Sequence, residues 1–281
     1  MNNIGLFYNP RVSTARPLAE EIAAWLKARN VHSWTCSTKE KPPDDELCRD
    51  ATDLLVTLGG DGTILRAMPL VAPLAIPVLG LNLGRVGFLT ECEPDEWPAV
   101  MTQIMEGKGT IEERLMLQVT LYRQGEQIAQ DVALNDAVIS RGGLALTMRL
   151  ETLVEGTPLT RYVADGLILA TATGSTAYSY AVGGPILPPW IDNILLSPIA
   201  AHLSLDRPLV LNDEATVEVI VHTRVPGTLT VDGHLVGELL EGDRVCVERS
   251  ALKARFLRLR SRGDFYRTLV KRLTPREDEA R

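Results

Sequence analysis

The chain has 281 residues, 45% hydrophobic and 23% charged, enough to bury a sizeable core in about two domains. Its net charge of −7 offers no basic footprint for nucleic acid and disfavours standing association with an anionic membrane, so neither partner is expected. Cys36, Cys48, Cys92 and Cys246 show no CxxC spacing and no accompanying histidine cluster; this disfavours a zinc site and fits a reducing compartment.

Residues 4–8 form a short apolar run expected to be a strand. The N-terminus has no basic leader, and no apolar run reaches membrane-spanning length, so a cytoplasmic location is expected. Residues 17–29 place Leu18, Ile22, Trp25 and Leu26 at helical spacing. Residues 53–58 are apolar and end in Gly-Gly, 64–71 are helical in pattern, 76–81 are another apolar run, and 96–105 are a further helix. Strands alternating with helices predict a parallel, Rossmann-like sheet.

The pattern changes near residue 111. Runs at 115–122 and 127–140 flank Gln124-Gly125-Glu126, a hairpin signal. Further strand runs fall at 146–154, 166–170, 215–221, 227–231 and 244–247, with one helix expected over 175–182 and a last one over 264–272. We therefore expect an α/β domain over 1–110, joined by a terminal helix at about 262–275, and a β-rich domain over 111–261, with the active site in the cleft between them. The tail from Thr274 to Arg281 is polar and is expected to fray. Exposed strand edges in the second domain suit a homodimer or homotetramer.

Gly59-Gly60-Asp61-Gly62-Thr63 sits between an apolar strand and a helix. Glycines at a helix start let backbone N–H groups approach phosphate oxygens. Asp61 does not suit a phosphate cradle, because its charge repels phosphate; it suits a hydroxyl acceptor or a magnesium ion. The plain structural alternative is a turn with Asp61 as helix cap. Neither a P-loop lysine motif nor a complete G-x-G-x-x-G accompanies it.

This string is similar to the signature of NAD kinases, 6-phosphofructokinases, and diacylglycerol and sphingosine kinases, all of which phosphorylate hydroxyls. Leu134-Asn135-Asp136 resembles a second NAD-kinase motif. Asp165-Gly166-Leu167-Ile168-Leu169-Ala170-Thr171-Ala172-Thr173-Gly174-Ser175-Thr176-Ala177-Tyr178, continuing into Gly183-Gly184-Pro185-Ile186, is very similar to the long NAD-kinase signature. Asp206-Arg207-Pro208 and Thr230-Val231-Asp232-Gly233-His234 resemble later segments of that family, although Asp-Gly is also a common hairpin turn.

The resemblance implies phosphorylation of the adenosine-ribose 2′-hydroxyl of NAD by ATP with a divalent cation, expected to be Mg2+. It implies that Asp61 orients or deprotonates the hydroxyl while Gly60, Gly62 and Thr63 face the donor. Phe88 would lie near adenine, Asn135 and Asp136 would hold the adenosine, and Asp165 would meet the nicotinamide end beside Thr173, Ser175, Thr176, Ala177 and Tyr178. Arg66 and Arg85 are the cations nearest in sequence to the two glycine-rich loops. The chain departs from the family pattern at Val163, Ala172, Ala181, Asp136 and His234; Ala181 and His234 stand at substrate-facing positions. A lipid kinase sharing only residues 59–63, a catalytically silent dinucleotide-binding module, and a structural or interaction protein are the alternatives.

Overall fold

The computed structural model describes residues 1–40, 52–84, 87–142, 147–201 and 205–273. Cys48, Arg85 and the tail from Thr274 lie outside them, as do residues 202–204. The chain forms two compact units: the described residues of Met1–Glu113 with those of Ala254–Arg281, and those of Arg114–Lys253.

Unit 1 begins with β1 (Asn3–Tyr8), α1 (Ala15–Lys27), β2 (His32–Ser37), β3 (Leu54–Gly59), α2 (Asp61–Val71), β4 (Val78–Asn82) and α3 (Trp97–Met105). The strands run parallel in the order β2-β1-β3-β4. Every residue of β3 and β4 is buried, the continuous apolar pattern of a parallel sheet covered on both faces. On α1 the buried stripe is Ala15, Ala19, Ile22 and Leu26. Trp25 turns off that stripe, edge-on to Trp97 with ring centroids 5.8 Å apart and stacked under the Arg29 guanidinium. The strand β2 carries exposed His32 and Thr35 among its residues, which hid it from an apolar-run reading.

Unit 2 comprises β5 (Thr110–Arg123) from Arg114 onward, β6 (Glu126–Ala133), β7 (Asp136–Ser140), β8 (Met148–Val154), β9 (Thr157–Ala164), β10 (Gly166–Thr171), α4 (Tyr178–Ala181), β11 (Asn193–Ile199), β12 (Leu209–Asn212), β13 (Val217–His222), β14 (Gly227–Val231), β15 (His234–Leu239) and most of β16 (Arg244–Arg258). One antiparallel sheet runs β12-β11-β10-β7-β14-β15; the other carries β16-β13-β8-β9 with the β5–β6 hairpin. Their inward residues, among them Leu117, Val119, Leu167, Leu169, Val217, Val219, Leu229 and Val231, meet in one core. The hairpin turns at Gln124-Gly125, both with positive φ. The strand β9 follows the turn Glu155-Gly156, also both positive, a hairpin signal that the sequence reading did not use.

The single helix expected over 175–182 is instead a 3-10 turn at Thr173–Thr176 followed by α4, one helical turn. Ala177, at ψ −126°, breaks the path between them, so no helix N-terminus forms at Gly174–Thr176. After β16 the chain returns to unit 1, where Phe256 pairs with Val78 of β4, and the described residues close with α5 (Gly263–Leu273), a helix with no buried residue.

Candidate active site

The residues singled out by sequence divide between the two units. In unit 1, β3 delivers Gly59 and Gly60, and Gly60 caps α2 with an extended backbone, φ −111° and ψ −169°. Asp61 is the first residue of α2, and no side chain caps this helix. Asp61 therefore does not act as its own helix cap. Its Oδ2 accepts the Phe88 N–H at 2.9 Å and its Oδ1 the Leu89 N–H at 3.1 Å. These bonds need Gly87, where a Cβ would stand 2.0 Å from Asp61 Oδ1. From α5, Arg272 Nη1 lies 3.8 Å from Asp61 Oδ2, and its guanidinium sits 4.9 Å from the Phe88 ring centroid. Phe265 packs on the other side of that contact, 6.3 Å from Phe88. The Asp61 side chain keeps 27% exposure, so an anchored carboxylate still faces solvent.

The loop that carries these amides is itself pinned. Glu91, 4% exposed, accepts the N–H groups of Leu259 and Arg260 and pairs with Arg258 at 2.9 Å. Arg258 also donates to the Leu89 carbonyl. A cavity of about 200 Å³ opens on the turn, lined by Asn9, Arg11, Thr38, Gly62, Thr63 and Arg66, with Gly60 at its rim. A Cβ on Gly60 or Gly62 would meet nothing within 4 Å, so the main chain there fronts open space. The Thr38 and Thr63 hydroxyls are buried without a hydrogen-bond partner among the described residues. Arg11 and Arg66 have no ion-pair partner among them.

In unit 2 a second cluster forms around Asp232, at the β14–β15 turn. Its carboxylate accepts the N–H groups of Leu134 and Asn135 at 2.8 Å and of Asp136 at 3.1 Å. From the other side, Thr171 Oγ1 donates to the Leu134 carbonyl, and the Thr171 N–H to that of Asn135. Gly174 approaches so closely that a Cβ there would stand 2.1 Å from the Asn135 oxygen. Asn135 and Asp136 are thus held rigidly between two parts of the fold. Burial, together with the neighbouring Asp232 carboxylate, pushes the Asp136 carboxyl up to about 7, against the pull of the Tyr178 N–H. Burial likewise raises Asp232, opposed by its three amide bonds.

The remaining predicted residues do not gather at one place: Thr173, Ser175, Thr176, Ala177 and Tyr178 follow the end of β10 beside Asp136, whereas Asp165 precedes its start, where Gly166 pairs with Ser140. Ser175 is fully buried, its hydroxyl bonded to both backbone groups of Leu187. Thr173 is buried, its hydroxyl without a hydrogen-bond partner among the described residues. Thr176 donates to the Thr173 carbonyl, while Tyr178 at 44% exposure and Ala181 face solvent. Asp165 pairs with Arg141 at 2.9 Å. His234 Nε2 lies 2.6 Å from Asp131 Oδ2. Sequence reasoning missed Arg272, which carries no local signal, and the clamp made by Asp232, which it read as part of a family-like segment and as a hairpin turn but not as a ligand of the 134–136 amides. Gly87 was visible only as part of a glycine-rich loop.

A carboxylate at the head of a helix, on a glycine turn without a P-loop lysine, above a parallel sheet, defines the class: a phosphotransferase acting on a hydroxyl. Residues 35–109 match the family model of the ATP-NAD kinase N-terminal domain and residues 134–259 that of the C-terminal domain. The chain is 41% identical over 273 residues to the NAD kinase of Chloroflexus aurantiacus, covering 97% of this chain and 99% of that protein. It is 38% identical over 271 residues to that of Dehalococcoides mccartyi, covering 96% and 95%. Among solved structures it resembles yeast NADH kinase complexed with NADH, TM-score 0.86 at 28% identity over 99% of this chain and 90% of that one. It also resembles an NAD kinase from Archaeoglobus fulgidus in complex with ATP, TM-score 0.75 at 25% identity over 95% and 99%. The chain belongs to the NAD kinase family.

Proposed function

We propose that the protein transfers the γ-phosphoryl group of ATP to the adenosine-ribose 2′-hydroxyl of NAD, releasing ADP and NADP. The observation that carries this reading is the anchored, part-exposed carboxylate of Asp61 beside a cavity lined by Arg11 and Arg66, which have no ion-pair partner among the described residues. The hydroxyl oxygen forms the new P–O bond, the bond from the γ-phosphorus to the ADP oxygen breaks, and Asp61 accepts or orients the hydroxyl proton. Catalysis rests mainly on alignment and charge neutralisation. Gly60, Gly62 and Thr63 face the donor phosphates, with Arg66 and Arg11 as their counter-charges. Arg272 positions Asp61 and steadies Phe88, which lies against the adenine.

Asn135 and Asp136 hold the adenosine, presented by Asp232. Thr173, Thr176, Ala177 and Tyr178 border the dinucleotide beside Asp136, while Asp165, the residue expected at the nicotinamide end, stands at the other end of β10, paired with Arg141. Ser175 acts through the backbone of Leu187, and Ala181 and His234 also border the dinucleotide. Among the described residues no three His, Cys, Asp or Glu side chains gather into a metal cage. The part-exposed carboxylate of Asp61 is an oxygen donor of the kind a magnesium ion takes alongside phosphates and water. When bound, magnesium would neutralise donor charge, with Asp61 the protein carboxylate at the turn. No described helix is long and apolar enough to cross a membrane. The free thiols Cys36, Cys92 and Cys246 support a cytoplasmic setting, and open strand edges support a homodimer or homotetramer.

The test is incubation of the purified protein with ATP, magnesium and NAD, with NADP detected by an NADP-specific dehydrogenase. Wild type should form NADP, and Asp61→Asn should lose about 10²- to 10⁴-fold in kcat, the range for a positioned acid–base group. The likeness to an NADH kinase complexed with NADH makes NADH the second acceptor to assay. Dinucleotide binding with no product from either would establish the silent binding module instead.

A further inference from the structure

A second cavity, of about 550 Å³, lies on the outer face of the β13-β8-β9 sheet; none of its lining residues is assigned above to the reaction, although Val163 stands two residues before Asp165. Its size falls in the range of small-molecule sites. Strand register builds it: His222 pairs with Arg149, and Arg149 with Val163, so the three share one face. Arg161 stands in the next row, opposite Glu151, and Thr223 and Arg224 follow the end of β13.

The charges in this cavity do not balance. Glu151 is committed to Arg161 at 2.6 Å. Glu241 is committed to His222 Nδ1 at 2.9 Å and the Thr223 N–H at 2.7 Å. Arg149 and Arg224 have no ion-pair or hydrogen-bond partner among the described residues, although both line the cavity. The His222 Nε2 atom is buried and without a hydrogen bond among the described residues; Glu151 Oε2, at 3.6 Å, is too far to supply one. In a chain of net charge −7, two guanidinium groups left uncompensated in one concavity form a local reversal of sign. Guanidinium donors are planar and match phosphate oxygens in pairs.

We propose that this cavity binds a compact anion bearing two or more phosphate groups, held by Arg149 and Arg224 with His222 beneath, at a site separate from the reaction. The test uses the full chain at low ionic strength, titrated calorimetrically with inorganic pyrophosphate as the probe. Pyrophosphate can also meet the turn at 59–63, so wild type should show two classes of site. The double variant Arg149→Gln/Arg224→Gln should lose one class, its affinity falling at least ten-fold, while NADP formation without added pyrophosphate stays at the wild-type rate. The Lys/Lys double variant, which keeps charge but not paired donors, should fall between. Both arginines are exposed, so unliganded melting should not change; if it does, the single Arg149→Gln variant is read in the same titration. An isotherm of the Gln variant that superimposes on wild type overturns the proposal. So does a second class of site abolished equally by sodium chloride at matched ionic strength, which would mark it as screening alone.

Discussion

At Asp61 the chain sets two amides and a guanidinium around one carboxylate, and the guanidinium comes from the far end of the sequence. The two amide bonds are charge-assisted and fix the carboxylate's direction as well as its energy, while Arg272, at 3.8 Å, adds charge without a hydrogen bond. Arg272→Ala should lower kcat about ten-fold, the size of one lost positioning contact of ~1.4 kcal/mol. The melting temperature should stay near wild type, because no residue of α5 is fully buried, and any rise in the KM for NAD through Phe88 should be small beside the fall in kcat. Arg272→Lys should recover part of the loss, and an equal fall for Lys and Ala would remove the charge argument. Gly87→Ala should be more severe in activity than in stability, because its Cβ would collide with Asp61 Oδ1 at 2.0 Å and push the carboxylate off its amides. Steady-state kinetics beside a melting curve separates the two effects. Residue identities at this site were readable from the string Gly59–Thr63, since turn, strand and helix signals are local. Arg272 was not, because an ion pair between distant segments has no local pattern.

At the scale of elements, the glycine-rich stretch after β10 is not a helix start but a wedge. Gly174 packs on the Asn135 oxygen while Thr171 bonds the carbonyls of Leu134 and Asn135. Gly174→Ala should destabilise by about 1–3 kcal/mol through overpacking and raise the KM for NAD more than it lowers kcat, because it displaces the segment that carries Asn135 and Asp136. Denaturant melts and initial-rate kinetics check both halves of that expectation. Here periodicity misled: small residues followed by Thr, Tyr and Ala read as helical, yet close approach of two backbones broke the run into a 3-10 turn and one helical turn. Strands β2, β9 and β15 escaped for a related reason. They are partly exposed, so their apolar content is low and pairing partners, not sequence, make them strands.

For the whole molecule, Asp136 links folding to pH. Its carboxyl is raised from an ordinary 3.8 to about 7, so between those values the native state keeps a proton that the unfolded chain has released. Raising pH through that window therefore removes stability, by up to about 1.4 kcal/mol per pH unit, and the loss is complete above the native value. Asp232, also raised, acts in the same direction. Carboxyls lowered in the fold, such as Asp243 beside Arg123 and Asp264 beside Ser261, act below about pH 4 instead. The melting temperature of the unliganded protein should fall from pH 5 to pH 8, and Asp136→Asn should flatten that slope; an unchanged slope would show that Asp136 does not titrate there.

By itself the sequence determined the reaction class, the parallel α/β character of the first third, the β-rich character of the middle and the family resemblance, because apolar periodicity and turn chemistry act over a few neighbouring residues. Only the tertiary structure decided which cation meets Asp61, that Asp232 clamps Asn135 and Asp136, and that Arg149 and Arg224 share a cavity. Those are meetings between residues far apart in the chain, made by strand register and chain return, and side chains that meet only in the folded state leave no spacing to read.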